Sequence, residues 1–306
     1  METTTEGISI QFRGILSNVD SSILQLAFDN GFRVESFSEE DALKFFTSIE
    51  NLTTQSIGEK YFLRLRAVNH TEHKVYSIHN SFEGSLDTFP CISKFDNKFV
   101  RAYLEPKIRL LRLYKEGDIR MPIRFYYKIE DDKIQSILHG EESGLPIGYQ
   151  SYHIEASELA AIQHFIESTE FPFKMDFLQL AFENFELSYQ ILDVQLSFLV
   201  LMIGLEALLN PSTYEVKYRV SRNMAVLLGH SKSDAELAFK DIKDMYDKRS
   251  EIVHSGKRTV VKQQDMLKLR EYLRNAIKEI YMIGKGKDEL VSLLTTQGFG
   301  EKIPHP

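Results

Sequence analysis

The spacing of apolar and polar positions changes period once along the chain. Up to about residue 150 it alternates in twos. The segments "ISIQFRGIL" (8–16), "KYFLRLRAV" (60–68), "HKVYSIHN" (73–80), "RLLRLYKEG" (109–117) and "MPIRFYYKI" (121–129) each predict a strand between turn residues. "EEDALKFFTSIENL" (39–52) predicts a helix entered through Ser36 or Ser38, and "KIEDDKIQSI" (128–137) predicts a hairpin around Asp131 and Asp132. Residues 1–150 are thus expected to form an α+β, mostly β, module. "HGEESGLPIGYQSY" (139–152) breaks the pattern.

From Ile154 the period is helical. Leu178, Phe182, Phe185, Tyr189, Leu192, Leu196, Leu199 and Ile203 follow in steps of three and four, predicting one long helix packed along most of its length. The next step of three lands on Glu206. Asn210-Pro211 ends that helix, and Ser212 with Glu215 gives a capping-box start for "YEVKYRVSRNMAVLLG", closed by Gly229. Ser233 with Glu236 repeats the start signal for a helix running into "YDKRSEIVHSG" (246–256). The last long helix carries Met266, Leu269, Leu273, Ala276, Ile280 and Ile283, with Gly284 as its stop. "KDELVSLLTTQGFG" adds a short terminal helix. Residues 154–300 are therefore expected to be an all-α bundle of four main helices, led in by a helix over "ASELAAIQHFIES" (156–168).

Composition narrows the function classes. With 306 residues and 43% apolar content, the chain can build one large or two ordinary cores, and 26% charge with 8 prolines excludes a wholly disordered chain. Its single cysteine, Cys91, excludes an intrachain disulfide and a cysteine-based zinc site, which fits a reducing cytosol. The opening "METTTEGISIQ" has no basic leader before an apolar core. The most apolar run, residues 196–209, is shorter than a bilayer span and contains Glu206. A soluble, cytoplasmic protein without a membrane partner is expected. The net charge of −7 argues against general coating of nucleic acid. Residues 211–285 nevertheless hold 16 Lys+Arg against 10 Asp+Glu. Lys257, Arg258 and Lys262, just after His254, permit contact with phosphates; on charge alone a solvated face fits at least as well.

Two charges stand on apolar stripes. In the helix of "YDKRSEIVHSG" the stripe runs Phe239, Ile242, Met245/Tyr246, Arg249, Ile252/Val253, so Arg249 is expected in an interior or an interface. Glu206 holds the equivalent place on its helix. A buried charge costs several kcal/mol, roughly, unless it is paired. Glu206 is therefore expected to pair with Arg219, Arg222 or Arg249. His254 follows Arg249 by five residues, which on an ideal helix is about 140° around and about 7.5 Å along the axis. Ser255-Gly256 predicts a helix end that lets the imidazole swing toward the arginine. An imidazole that moves a proton beside a guanidinium that stabilises charge on phosphorus oxygens suits phosphodiester chemistry. Spacing alone is weak, because Arg64/His70 and Arg66/His73 lie similarly spaced in a segment that reads as strand and turn.

The blocks "LSFLVLMIGLEALL", "YEVKYRVSRNMAVLLG" and "IKDMYDKRSEIVHSG", followed by the amphipathic helix to Gly284, resemble the HEPN superfamily (higher eukaryotes and prokaryotes nucleotide-binding) in its Apea-like branch. The resemblance covers roughly the last 130 residues. It implies a helical bundle that forms a homodimer through its motif-bearing helices. It further implies a metal-independent ribonuclease centre, without cofactor, in which Arg249 and His254 are catalytic. There the RNA 2′-hydroxyl would attack the adjacent phosphate, leaving a 2′,3′-cyclic phosphate and a 5′-hydroxyl. Many such proteins act in bacterial phage defence or as toxins, cutting tRNA or other RNA. Active members often carry Asn, Asp or His directly after the arginine, where this chain has Ser250. The other reading is a non-catalytic HEPN module that binds nucleotide, RNA or protein, with Arg249 structural. A third places function in the N-terminal half, with the bundle only a dimeriser.

Other constellations fall away. "GKGK" (284–287) lacks the spacing of a phosphate-wrapping loop, and "HGEESG" (139–144) is misregistered for a nucleophile elbow. "NHTEH" (69–73) has no third ligand nearby, and Asp131/Asp132 read as turn residues, so no metal site is expected.

Overall fold

The structure, a computed structural model, describes residues 8–38, 40–42, 45, 74–84, 88–130, 133–141, 151–210, 214–256, 260–301 and 303. The chain divides into two compact units, Met1–Thr169 and Glu170–Pro306.

The first unit is built on an antiparallel sheet of β1 (Ile8–Ser17), β2 (Arg33–Ser38), β3 (Lys74–Gly84), β4 (Arg120–Glu130) and β5 (Lys133–Glu141), in the order β2-β3-β1-β4-β5. Alternation sends Ile10, Phe12, Tyr76, Ile78 and Tyr126 to one face. There the Phe12 ring meets Phe32 and Phe95. Ile15, Val75, Ile123, Phe125 and Tyr127 fill the other face with Ala42 and Phe45. The β4–β5 hairpin forms as expected, with Glu130 opposite Lys133; Asp131 and Asp132 themselves lie outside the described residues. Ser38 caps the segment after β2, its hydroxyl accepting from the Asp41 amide at 3.1 Å. Most of the helix expected over 39–52, the strand expected over 60–68, both control Arg/His pairs and "NHTEH" lie outside the described residues.

One expected strand is a helix. "RLLRLYKEG" falls in α2 (Glu105–Tyr114), which continues from α1 (Thr88–Phe95) through a π-helical stretch, Asp96–Leu104. Leu and Arg are strong helix formers, and Pro106 sits in the first turn, where its missing N–H costs nothing. Ile108/Leu111 and Leu110/Leu113 are buried at helical spacing, which the leucine–arginine alternation hid. The expected lead-in helix, α3 (Leu159–Ser168), packs on α2 in the first unit, with the Tyr114 and Phe165 rings 5.4 Å apart.

The second unit is helical: α4 (Asp176–Gln190), α5 (Val194–Leu209), α6 (Val216–Leu228), α7 (Lys232–Ser255), α8 (Gln263–Ile283) and α9 (Lys287–Thr296). The single helix expected over 178–203 is a hairpin of α4 and α5. Asp193 begins a new helix, its carboxylate accepting from the amides of Gln195 and Leu196 at 2.9 Å. Leu178, Phe182, Phe185 and Tyr189 are buried as expected, whereas Leu192, Leu196 and Ile203 are exposed. Apolar residues surround α5, so its period could not reveal which face turns inward. That face is Phe198, Leu201, Met202, Leu205, Leu208 and Leu209. The break makes five long helices where four were expected.

Two start signals also moved. α6 begins after Glu215, whose φ of 52° is left-handed, and Ser212 lies outside the described residues. α7 is capped by Ser231, which accepts from the Asp234 amide at 3.2 Å, not by Ser233. α8 buries all six stripe residues and stops at Gly284, left-handed at φ 65°.

Candidate active site

Of the three arginines expected as partners for Glu206, Arg249 is the one that meets it. Arg249 Nε stands 3.6 Å from Glu206 Oε1, with the side chains 36% and 25% exposed. Arg222 instead donates to the carbonyls of Leu294 and Gln297 at 2.7 and 2.9 Å, closing the end of α9. Arg219 pairs along its own helix with Glu215 at 3.8 Å. The pair Glu206–Arg249 is thus only half-buried. It stands where the outward stripe of α5, through Leu196 and Ile203, reaches α7.

Tyr246, three residues before Arg249, is the nearest polar group on the same face of α7. Tyr246 is 6% exposed, and its hydroxyl is turned toward the Glu206 carboxylate. Burial first, then the negative charge of Glu206 and its hydrogen bond with the phenol, hold the proton on well above the ordinary tyrosine range; Arg249 pulls the other way. The apolar spacing of α7 concealed this residue as an ordinary core aromatic.

His254 does not join Arg249 in one chain. α7 extends through Ser255, and only Gly256, at φ 64°, turns out of the helix, its amide bonding the Ile252 carbonyl at 3.1 Å. His254 therefore stays in the last helical turn, exposed, and about 140° around the axis from Arg249. The Ser-Gly pair does end the helix, but one residue too late to free the imidazole. Ser250 is exposed beside Arg249.

Of the basic residues expected near RNA, Lys262 is exposed at the start of α8, while Lys257 and Arg258 lie outside the described residues. Asp265 joins this end of the bundle to α7. Burial raises its pKa, but the Lys248 hydrogen bond, the Lys262 amide at 2.9 Å and both lysine charges together bring it below the usual carboxylate range. On the neighbouring turn Lys217 pairs with Asp247. The exposed Tyr214 and Tyr218 flank that lysine in sequence.

Among the described residues, no three His, Cys, Asp or Glu side chains gather as metal ligands would. Among the same residues, no helix is long and apolar enough to cross a membrane. Compared with family models, with curated proteins and with solved structures, the chain matches none.

Proposed function

We propose that this protein is a HEPN-type, metal-independent endoribonuclease effector of the cytosol, of the phage-defence or toxin kind, whose centre is shared between two copies of the chain. The carrying observation is that Arg249 and His254 are both accessible on one helix yet point about 140° apart. Neither can complete the other within a chain. An exposed apolar stripe, Leu192, Leu196 and Ile203, leads up to Arg249 and supplies the kind of surface a second copy would cover. In the dimer His254 moves the 2′-hydroxyl proton and Arg249 stabilises the charge on phosphorus, leaving a 2′,3′-cyclic phosphate and a 5′-hydroxyl. Glu206 orients Arg249, Ser250 lines its exposed side, and Lys262 with Lys257 and Arg258 supplies phosphate contacts. Unpaired RNA, tRNA included, is the substrate class.

The test is incubation of the purified protein with total RNA in EDTA. Cleavage with cyclic-phosphate ends, abolished in His254→Ala and in Arg249→Ala at unchanged helicity, is the expected result. Cleavage that needs a divalent ion, or that survives His254→Ala, refutes the proposal.

The Arg249–Glu206 pair favours one second reading, a HEPN module that binds nucleotide, RNA or protein without cutting. Under it Arg249→Ala loosens the fold or the dimer, and His254→Ala is silent.

A further inference from the structure

Among the phenylalanine and tyrosine side chains described, Tyr214 and Tyr218 are the exposed ones, at 78% and 54%, and both stand at the start of α6. Tyr218 is braced: the Phe239 ring meets it edge to face at 5.9 Å, and Phe299 backs Phe239 at 6.0 Å. A ring held by its neighbours yet half open to water is a preformed stacking surface. Lys217 lies between the two tyrosines in sequence and Arg219 follows them, paired with Asp247 and with Glu215. Exposed pairs of this kind are weak, so either cation can exchange its carboxylate for a phosphate.

The place of these residues follows from how α6 and α7 pack. The two helices run antiparallel, with Ala225 against Ala235 and Ala238 at one end and Lys217 against Asp247 at the other. The start of α6 therefore lies toward the end of α7 that carries His254. Asp247 and His254 are seven residues apart, which on a helix is about 20° around the axis and about 10.5 Å along it. The face of α7 that meets Lys217 is thus the His254 face, and Arg249 points about 160° away from Asp247. Open rings beside cations match a strand of unpaired nucleotides, in which each base is a flat face and each link carries a phosphate.

We propose that Tyr214 and Tyr218 form a base-stacking strip for single-stranded RNA on the His254 side of α7, with Lys217 and Arg219 taking the adjoining phosphates. Stacking uses the flat face that every base has, so the strip fixes the strand in place without selecting a sequence. The inference rests on the reading of His254 as the proton-transfer group of an RNA-cleaving centre, and it adds which residues hold the nucleotides beside it.

The test uses the full chain and a short, labelled 2′-O-methyl RNA strand, which 2′-hydroxyl attack cannot cleave, beside the same strand made abasic. Affinity is read by fluorescence anisotropy. Wild type should prefer the base-bearing strand by about tenfold or more, and Tyr214→Ala and Tyr218→Ala should each weaken its binding about tenfold. The double variant should bind the two strands alike. Tyr218→Trp, which keeps a stacking ring, should retain wild-type affinity. Both tyrosines are exposed, so helical circular dichroism should stay unchanged in every variant. Equal affinity of wild type for the two strands, or wild-type affinity in both alanine variants, overturns the strip. Dissociation of a dimer in those variants at unchanged affinity, seen by light scattering, also overturns it and assigns the tyrosines to a protein contact. Cleavage of total RNA in EDTA is scored separately. Base-dependent binding through the tyrosines without cleavage leaves the strip standing and removes the ribonuclease; cleavage at the wild-type rate and affinity in both alanine variants does the reverse.

Discussion

Arg270 has no contact with solvent and is held by polar and aromatic partners. Its Nε donates to Ser188 Oγ and its Nη2 to the Ser188 carbonyl, both at 3.0 Å, while the guanidinium lies 4.0 Å from the centre of the Tyr189 ring. Arg274, one turn on, donates to the Tyr189 hydroxyl at 2.9 Å. Among the described residues of the bundle, these two, and not Arg249, are the buried arginines. Arg270 stands four residues after Met266 and three before Leu273, and Arg274 three before Ile277, so both lie on the buried face of α8, as charges on an apolar stripe that the spacing alone did not single out. Arg270→Ala should cost about 3 kcal/mol or more, from the cavity and the bare Ser188 groups, and Arg270→Met clearly less; urea unfolding followed by helical circular dichroism measures both. A second residue-scale prediction concerns His153, whose Nδ1 stands 2.7 Å from Asp20 Oδ2. The Asp20 hydrogen bond and charge raise the His153 pKa above the ordinary 6.5, and NMR titration should show that rise lost in Asp20→Asn. Burial raises the Asp20 pKa, but Ser22 and His153 outweigh it and bring it down. A raised histidine stabilises at low pH and stops doing so as pH rises through its folded value. A lowered aspartate stabilises above its unfolded value and stops as pH falls through its folded one. The tie between residues 20 and 153 is therefore strongest between the two ranges and weakens toward alkaline pH.

Helices in the second unit are set by their ends as much as by their faces. Asp193 separates α4 from α5 with two amide bonds, yet the three-and-four spacing of apolar residues runs straight across it. Asp193→Ala should remove about 1 kcal/mol of stability, read as a shift in the urea midpoint. Within α5, Gly204 lets three helices close up. A β-carbon there would stand 2.9 Å from Leu273 Cδ2 and 3.2 Å from the Ala181 carbonyl oxygen. Gly204→Val should destabilise by about 1–3 kcal/mol, visible as a lower thermal midpoint. The helix stops at Gly284 and Gly256 were legible, because a left-handed residue after the last turn is a local event that glycine announces. The strand expected over 109–117 misled for the opposite reason: alternation of Arg and Leu is satisfied by either period, and only packing chose.

At the scale of the whole molecule, the proposed function makes the outward face of α5 matter more than its inward one. Leu196→Glu with Ile203→Glu should leave helical circular dichroism unchanged, convert a dimer to a monomer by light scattering, and abolish RNA cleavage. A protein that is already monomeric and active would refute the shared centre. The sequence by itself determined the change from sheet to helices, the β4–β5 hairpin, the helix stops at Gly229, Gly256 and Gly284, the α8 stripe, and the need of Glu206 for a cationic partner. These follow from neighbours in the chain, where period, φ preference and charge act over a few residues. Only the tertiary structure decided which of three arginines Glu206 meets, where the apolar run folds back, that α3 belongs with the first unit, and that His254 stays on its helix turned away from Arg249. Each of those depends on surfaces brought together from distant parts of the chain, where several pairings satisfy the local pattern and burial selects one.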